Sequence, residues 1–210
     1  MKPNHLTHTN HASNAPAAPQ RSRGWFALLL CLVALGSLLP WSQVEGSQVS
    51  EAESAGSVQV ILMRHAEKSS EGGSNPELSA EGDERAQALA KLFEHSGATR
   101  FFASQFKRTQ HTLAPWAEML GSEVETYDAR DPEALVQQLR ALPAGTTVAV
   151  AAHSNTTSGL AQMLGAEPQR LTERGWLEDD EYGRIFVVTF PVGLGADAPV
   201  PSSTLLELSY

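Results

Sequence analysis

From Val58 onward, short β-rich apolar runs alternate with stretches whose apolar residues recur three and four positions apart. Val58-Gln-Val-Ile-Leu-Met63 has the length and composition of a buried strand. Ala86, Leu89, Ala90 and Phe93 then fall at i, i+3, i+4 and i+7. That spacing predicts a helix from Ser79 to His95, capped by the Ser79 hydroxyl and stopped by Gly97. Thr99–Ser104 predicts a second strand, and Lys107–Leu120 a second helix, kinked or restarted at Pro115. Glu123–Tyr127 reads as a third strand. Asp131-Pro132-Glu133 opens a third helix, because proline fits a first turn and acids favour the positive end of the helix dipole; it ends before Pro143. Thr146–Ala152 is a fourth strand, followed by a helix from Ser154 to Leu164 that Gly165 ends. After an irregular acidic stretch, Gly183–Phe190 and Thr204–Ser209 read as closing strands. This alternation predicts an α/β fold, a three-layer α/β/α sandwich around a mostly parallel central sheet.

Upstream of Val58 the pattern changes. Residues 1–23 are rich in Asn, His, Ala, Pro, Ser and Thr and contain no acid, which predicts a disordered segment, either a cytoplasmic tail or the n-region of a targeting signal. Residues 24–41 carry no charge and show no amphipathic period. They read as the h-region of a signal peptide, cut after Gly46, or as an uncleaved membrane anchor. Arg21 and Arg23 stand before this run, and Glu45, Glu51 and Glu53 after it. That order puts the N-terminus in the cytoplasm and the body across the membrane. The body is therefore expected to be exported, to a bacterial periplasm, either free after cleavage or tethered to the inner membrane. Residues 42–57 read as a Gly/Ser/Glu-rich linker and residues 58–210 as one folded domain, long enough for a full core.

Charge sharpens this division. The formal net charge is -9, yet the first 46 positions hold three bases and one acid, leaving twelve bases and 23 acids for the rest. An acidic body argues against nucleic acid as a partner, since that requires a basic face. It leaves room for a small phosphorylated substrate held by a few local arginines. The single cysteine, Cys31, lies in the apolar run, so thiol nucleophiles, disulfides and cysteine-based metal sites are excluded for the body.

In parallel sheets, ligands bind beyond the carboxyl ends of the strands. There the first strand delivers Arg64, His65, Glu67 and Lys68, and the second delivers Ser104 and Arg108. The third delivers Asp128, Arg130 and Asp131, and the fourth His153-Ser154-Asn155-Thr156 at a helix start. Two arginines and two histidines at one edge suit a dianionic phosphoryl group. Guanidinium forks bind its oxygens, a neutral imidazole can attack phosphorus, and a second imidazole can stabilise the transition state. This chemistry needs neither metal nor cofactor.

Leu62-Met63-Arg64-His65-Ala66-Glu67 resembles the Arg-His-Gly signature of the histidine phosphatase superfamily, the phosphoglycerate-mutase-like group. Asn75-Pro-Glu-Leu-Ser79-Ala-Glu-Gly82 resembles the family's approach to its first helix. Ser104-Gln-Phe-Lys-Arg108-Thr109-Gln-His-Thr112 and Ala151-Ala152-His153-Ser154-Asn155 resemble its two later motifs. The likeness runs from about Val58 to Phe190, with Ala66 and Ala152 where the family usually has glycine. It implies His65 as a nucleophile that becomes phosphohistidine, Arg64 and Arg108 as holders of the phosphoryl oxygens, and His153 as their complement. Lys68 is either an extra phosphate contact or a surface lysine.

The proton donor is less defined. Asp128 is the first candidate, with Asp131, Glu67 and Glu181 competing. Only 88 positions separate His65 from His153, which suits a compact phosphatase better than a mutase. The predicted function is therefore a metal-independent phosphatase acting on a phosphomonoester or phosphoramidate. The alternative is a non-catalytic phosphate- or partner-binding domain on the same fold.

Overall fold

A computed structural model describes residues 56–193 and 202–210. The predicted segments 1–23 and 24–41, and nearly all of the linker, lie outside the described residues. Ten elements follow in chain order: β1 (Ser57–Arg64), α1 (Ala80–Leu92), β2 (Ala98–Ser104), α2 (Lys107–Met119), β3 (Val124–Tyr127), α3 (Pro132–Arg140), β4 (Thr147–Ala152), α4 (Thr157–Met163), β5 (Arg184–Pro191) and β6 (Thr204–Ser209). They form one sheet in the order β3-β2-β4-β1-β5-β6. The pairs among β1 to β4 are parallel; β5 runs antiparallel to both β1 and β6. Five of the six strands thus point one way, as expected of a mostly parallel sheet.

Strand alternation divides β1 between two cores. Val58, Val60 and Leu62 join Leu135 and Leu139 of α3 and Leu160 and Ala161 of α4 on one face. Ile61 and Met63 join Leu89 and Ala90 of α1 and Leu113 and Trp116 of α2 on the other. Helices therefore cover both faces, which makes the sandwich three-layered. With both faces covered, the central strands are apolar throughout rather than alternating.

Local chemistry sets the helix ends. The Ser79 hydroxyl accepts from the Gly82 N–H at 3.1 Å and caps α1, and Gly97, at φ 71°, turns the chain into β2. Pro115 neither ends nor restarts α2, which runs through it to Met119. The last helix departs from expectation. Its first regular residue is Thr157, because the His153 carbonyl accepts from the N–H groups of both Thr156 and Thr157 and from the Thr157 hydroxyl, and a tight turn comes first.

The loop from Glu67 to Ser79 folds back on itself, with Ser69 N–H donating to the Glu77 carbonyl and Ser79 N–H to the Glu67 carbonyl, both at 2.9 Å. This brings α1 so close that a Cβ at Gly82 would overlap the Glu67 carbonyl. Gly82→Ala should accordingly cost about 1–3 kcal/mol of stability, as overpacking does. Urea denaturation of the two proteins checks this; an unchanged midpoint would contradict the packing described.

Candidate active site

Sheet register builds the site. Arg64 stands opposite Ala152 in the β1–β4 ladder, and the His65 N–H donates to the Ala152 carbonyl at 2.9 Å. The residues that leave these two strands, His65 and His153, therefore emerge side by side, ring centroids 5.4 Å apart. Next to them β2 ends at Ser104, and a two-residue turn places Arg108 in the first turn of α2. Its Nη2 comes to 3.4 Å from His153 Nδ1. These side chains, with Lys68, Phe106 and the turn after His153, line a cleft of about 350 Å³.

The hydroxyls of the Ser104–Thr112 segment are the mortar. Thr112 Oγ1 accepts from the Ala66 N–H at 2.9 Å and donates to the Arg108 carbonyl at 2.7 Å, tying the His65 loop to α2. Thr109 Oγ1 lies 2.7 Å from the Phe106 carbonyl and 3.0 Å from the Ser104 carbonyl, which only accept, so its one hydrogen goes to them. It must then accept from Ser104 Oγ at 2.8 Å, and Ser104 Oγ in turn accepts from His153 Nε2 at 2.9 Å. This relay fixes a His153 tautomer that carries its proton on Nε2, with Nδ1 the acceptor facing Arg108. The same logic applies to His65. Its Nδ1 is 2.7 Å from the Ala66 carbonyl and so carries the hydrogen, leaving Nε2 with a free lone pair.

Charge is packed densely here. Arg64 is almost fully buried; its Nη1 donates to the carbonyls of Glu178 at 3.0 Å and Asp179 at 2.9 Å, and its guanidinium lies 4.1 Å from the Tyr182 ring centre. Arg108 lies over the Phe106 ring at 4.5 Å. Among the described residues no carboxylate pairs with either guanidinium, and the Nε of each is buried without a partner. Burial, and then the Arg64 charge, push the Arg108 pKa down. Burial chiefly, then His153 and the two arginines, lower His65 to about 3, although its bond to the Ala66 carbonyl opposes this. Burial and the same arginines lower His153 to about 4. Both imidazoles are neutral near pH 7, in a cleft that invites an anion.

The structure thus brings together Arg64, His65, Arg108 and His153, with Lys68 on the rim. It does not bring Asp128 to them. Asp128 is exposed and forked onto Arg130, whose Nη2 donates at 2.8 Å, and it faces a different cleft together with Asp131. The Arg130 hydrogen bonds lower its carboxyl to about 2. Asp131 caps α3 by accepting from the Ala134 N–H at 3.1 Å. Burial raises the Glu67 carboxyl, but the Arg85 hydrogen bonds, both 2.8 Å, outweigh it and hold the group ionised. Glu181 accepts from the Glu178 N–H at 3.3 Å and lies 3.5 Å from Arg184 Nη1. The acid that does line the cleft is Asp179, which sequence reasoning passed over as one of an acidic run. Phe106 and Tyr182 were also missed, since a lone aromatic in a turn carries no pattern. Among the described residues, no three His, Cys, Asp or Glu side chains cluster as metal ligands would.

The site thus sits at the carboxyl ends of the parallel strands of a three-layer sandwich, with Arg64 closing β1, His65 next to it and His153 directly after β4. The sequence profile described as Histidine phosphatase superfamily (branch 1) matches residues 60–130. Over that stretch the chain is similar to this superfamily. No curated protein sequence matches it. Solved structures share the fold. A SixA protein from Nakamurella multipartitia is 23% identical with a TM-score of 0.54, covering 73% of this chain and 96% of its own. The protein histidine phosphatase SixA complexed with tungstate is 21% identical with a TM-score of 0.54, covering 72% and 96%. A mycobacterial glucosyl-3-phosphoglycerate phosphatase is 15% identical with a TM-score of 0.54, covering 71% and 97%.

The depressed imidazoles set a pH dependence. Between the ordinary histidine value of 6.5 and about 3 to 4, the unfolded chain binds protons that the folded chain does not. Stability therefore falls as pH drops through that window. Imidazole NMR should give titration midpoints below pH 5 for His65 and His153, both moving upward when inorganic phosphate supplies a counter-charge. A midpoint near 6.5 for either ring in the free protein would contradict the site described.

Proposed function

We propose that this protein is a metal-independent phosphatase working through a phosphohistidine intermediate at His65. The observation that carries the reading is that a buried guanidinium, Arg64, and a half-buried one, Arg108, meet two neutral imidazoles with no carboxylate partner among the described residues. The match of residues 60–130 to the superfamily profile and the phosphatases among the structures sharing the fold support it.

In the first step His65 Nε2 attacks phosphorus, the N–P bond forms and the bond to the leaving oxygen breaks. The Ala66 carbonyl holds the Nδ1 hydrogen and stabilises the positive charge that develops on the ring. Arg64 and Arg108 bind the equatorial oxygens, supplying the cationic stabilisation that phosphoryl transfer requires. A dianion beside His153 favours protonation of its Nδ1, and the charged ring then adds a donor. In the second step water attacks phosphorus and gives a proton to the carboxylate left by the acid of the first step, the N–P bond breaks, phosphate leaves, and His65 and the acid are restored.

We assign the proton for the leaving oxygen to Asp179, the acid on the cleft wall, rather than to Asp128. Leaving groups that depart without a full proton, such as aryl oxides, depend on it least. The order of charge around residues 24–41 supports placing this activity outside the cytoplasm.

His65→Ala should lower turnover of p-nitrophenyl phosphate by at least about a thousandfold, because the nucleophile is the mechanism. The full-length proteins, compared at equal purity with and without EDTA, test this. Undiminished turnover in the variant would overturn the reading. Phosphate binding without turnover across a broad substrate panel would favour the non-catalytic alternative.

A further inference from the structure

Beside the phosphoryl cleft lies a second one, of about 460 Å³, between Thr172 and Asp179. Asp179 belongs to the walls of both, so the two clefts adjoin at that residue. Its floor includes Trp176, a large apolar side chain left 37% exposed, next to Leu177, which is 2% exposed. Arg174 lies over the indole at 5.2 Å. An exposed tryptophan on a slack loop would mean little, but this loop is pinned. Trp176 N–H donates to Thr172 Oγ1 at 3.0 Å, and the Trp176 carbonyl accepts from Thr172 N–H at 2.9 Å. The Gly175 carbonyl accepts from the Ser158 hydroxyl at 2.6 Å, and Leu177 N–H donates to the Ser154 carbonyl at 2.9 Å, fastening the loop to the turn that follows His153. Two residues further on, the carbonyls of Glu178 and Asp179 grip Arg64. The backbone that carries the indole is thus pinned, in one continuous segment with the carbonyls that hold Arg64.

We propose that Trp176 is the shelf for the leaving group, and that this protein prefers phosphoryl substrates whose leaving group presents a flat ring and carries no further negative charge. The proposal rests on the phosphatase reading above. A flat, preorganised indole binds ring faces at small entropic cost, and its polar edge tolerates water. The charge condition comes from the rim. Glu173 and Glu178 line this cleft against the single base Arg174, so a leaving group bearing a second phosphate or a carboxylate meets net repulsion.

The test has two arms on the full-length chain. In the first, kcat/KM is measured for 2-naphthyl phosphate, glycerol 2-phosphate and 4-carboxyphenyl phosphate. Trp176→Ala should lower the naphthyl value about tenfold while leaving glycerol 2-phosphate within about twofold, and Trp176→Phe should recover most of the loss. Glu173→Gln should raise the value for the carboxylated ring alone. Equal losses on ring and non-ring substrates, or no loss, would overturn the shelf. The second arm needs no turnover. The indole N–H resonance absent from Trp176→Phe should move with phenol and with phenylphosphonate but not with methylphosphonate. If it moves while no substrate is hydrolysed, the shelf stands and the phosphatase reading falls. If substrates are hydrolysed and the resonance is indifferent to rings, the reverse holds.

Discussion

The structure depends on two guanidinium groups, Arg64 buried and Arg108 half-buried, with no carboxylate among the described residues to answer them. Arg64 is satisfied only by two backbone carbonyls and a tyrosine face, and Arg108 by a histidine nitrogen and a phenylalanine face. Partly neutralised buried charge is costly, and the framework around it has to supply the difference. The framework here is a rigid parallel sheet whose strand ends admit only one placement for Arg64, His65 and His153. It also includes a hydroxyl relay through Ser104, Thr109 and Thr112 that fixes both the helix bearing Arg108 and the tautomer of His153. Burial first, and then the unanswered charge, lowers both imidazoles, and the same charge suits the cleft to an anion. Within a body that is strongly acidic overall, this is a local positive island.

Much of this was legible in the sequence because it rests on local rules. Apolar runs and 3.6-residue spacing located all ten elements, and the rule that sites lie beyond strand carboxyl ends selected Arg64, His65, Arg108 and His153. The helix before β5 began later than expected because the His153 carbonyl gathers three donors into a turn, which no periodicity reports. Pro115 was overrated as a breaker, since tertiary packing of Leu113, Trp116 and Ala117 keeps the helix whole.

The acid was the least legible part. Asp128 stands at a strand end as the rule requires, yet its side chain turns to Arg130, two residues away, and away from the cleft. Side-chain direction one residue past the end of an edge strand depends on nearby partners, not on position in the sheet. Asp179 and Trp176 come from a stretch with no period at all. Their placement follows from hydrogen bonds to Ser154, Ser158 and Arg64, each made across a long sequence separation. That stretch is rich in acids, yet it is its backbone that holds Arg64.

The central claim is that His65 carries the phosphoryl group between substrate and water. The most direct measurement is rapid mixing of the full-length protein with p-nitrophenyl phosphate, an alkaline quench that preserves phosphohistidine, and mass mapping of the phosphorylated peptide. The account predicts phosphate on Nε2 of His65 within the first turnover, appearing with the burst of p-nitrophenol. Phosphate on any other residue, or continued turnover with no phosphorylated peptide at any quench time, would contradict it.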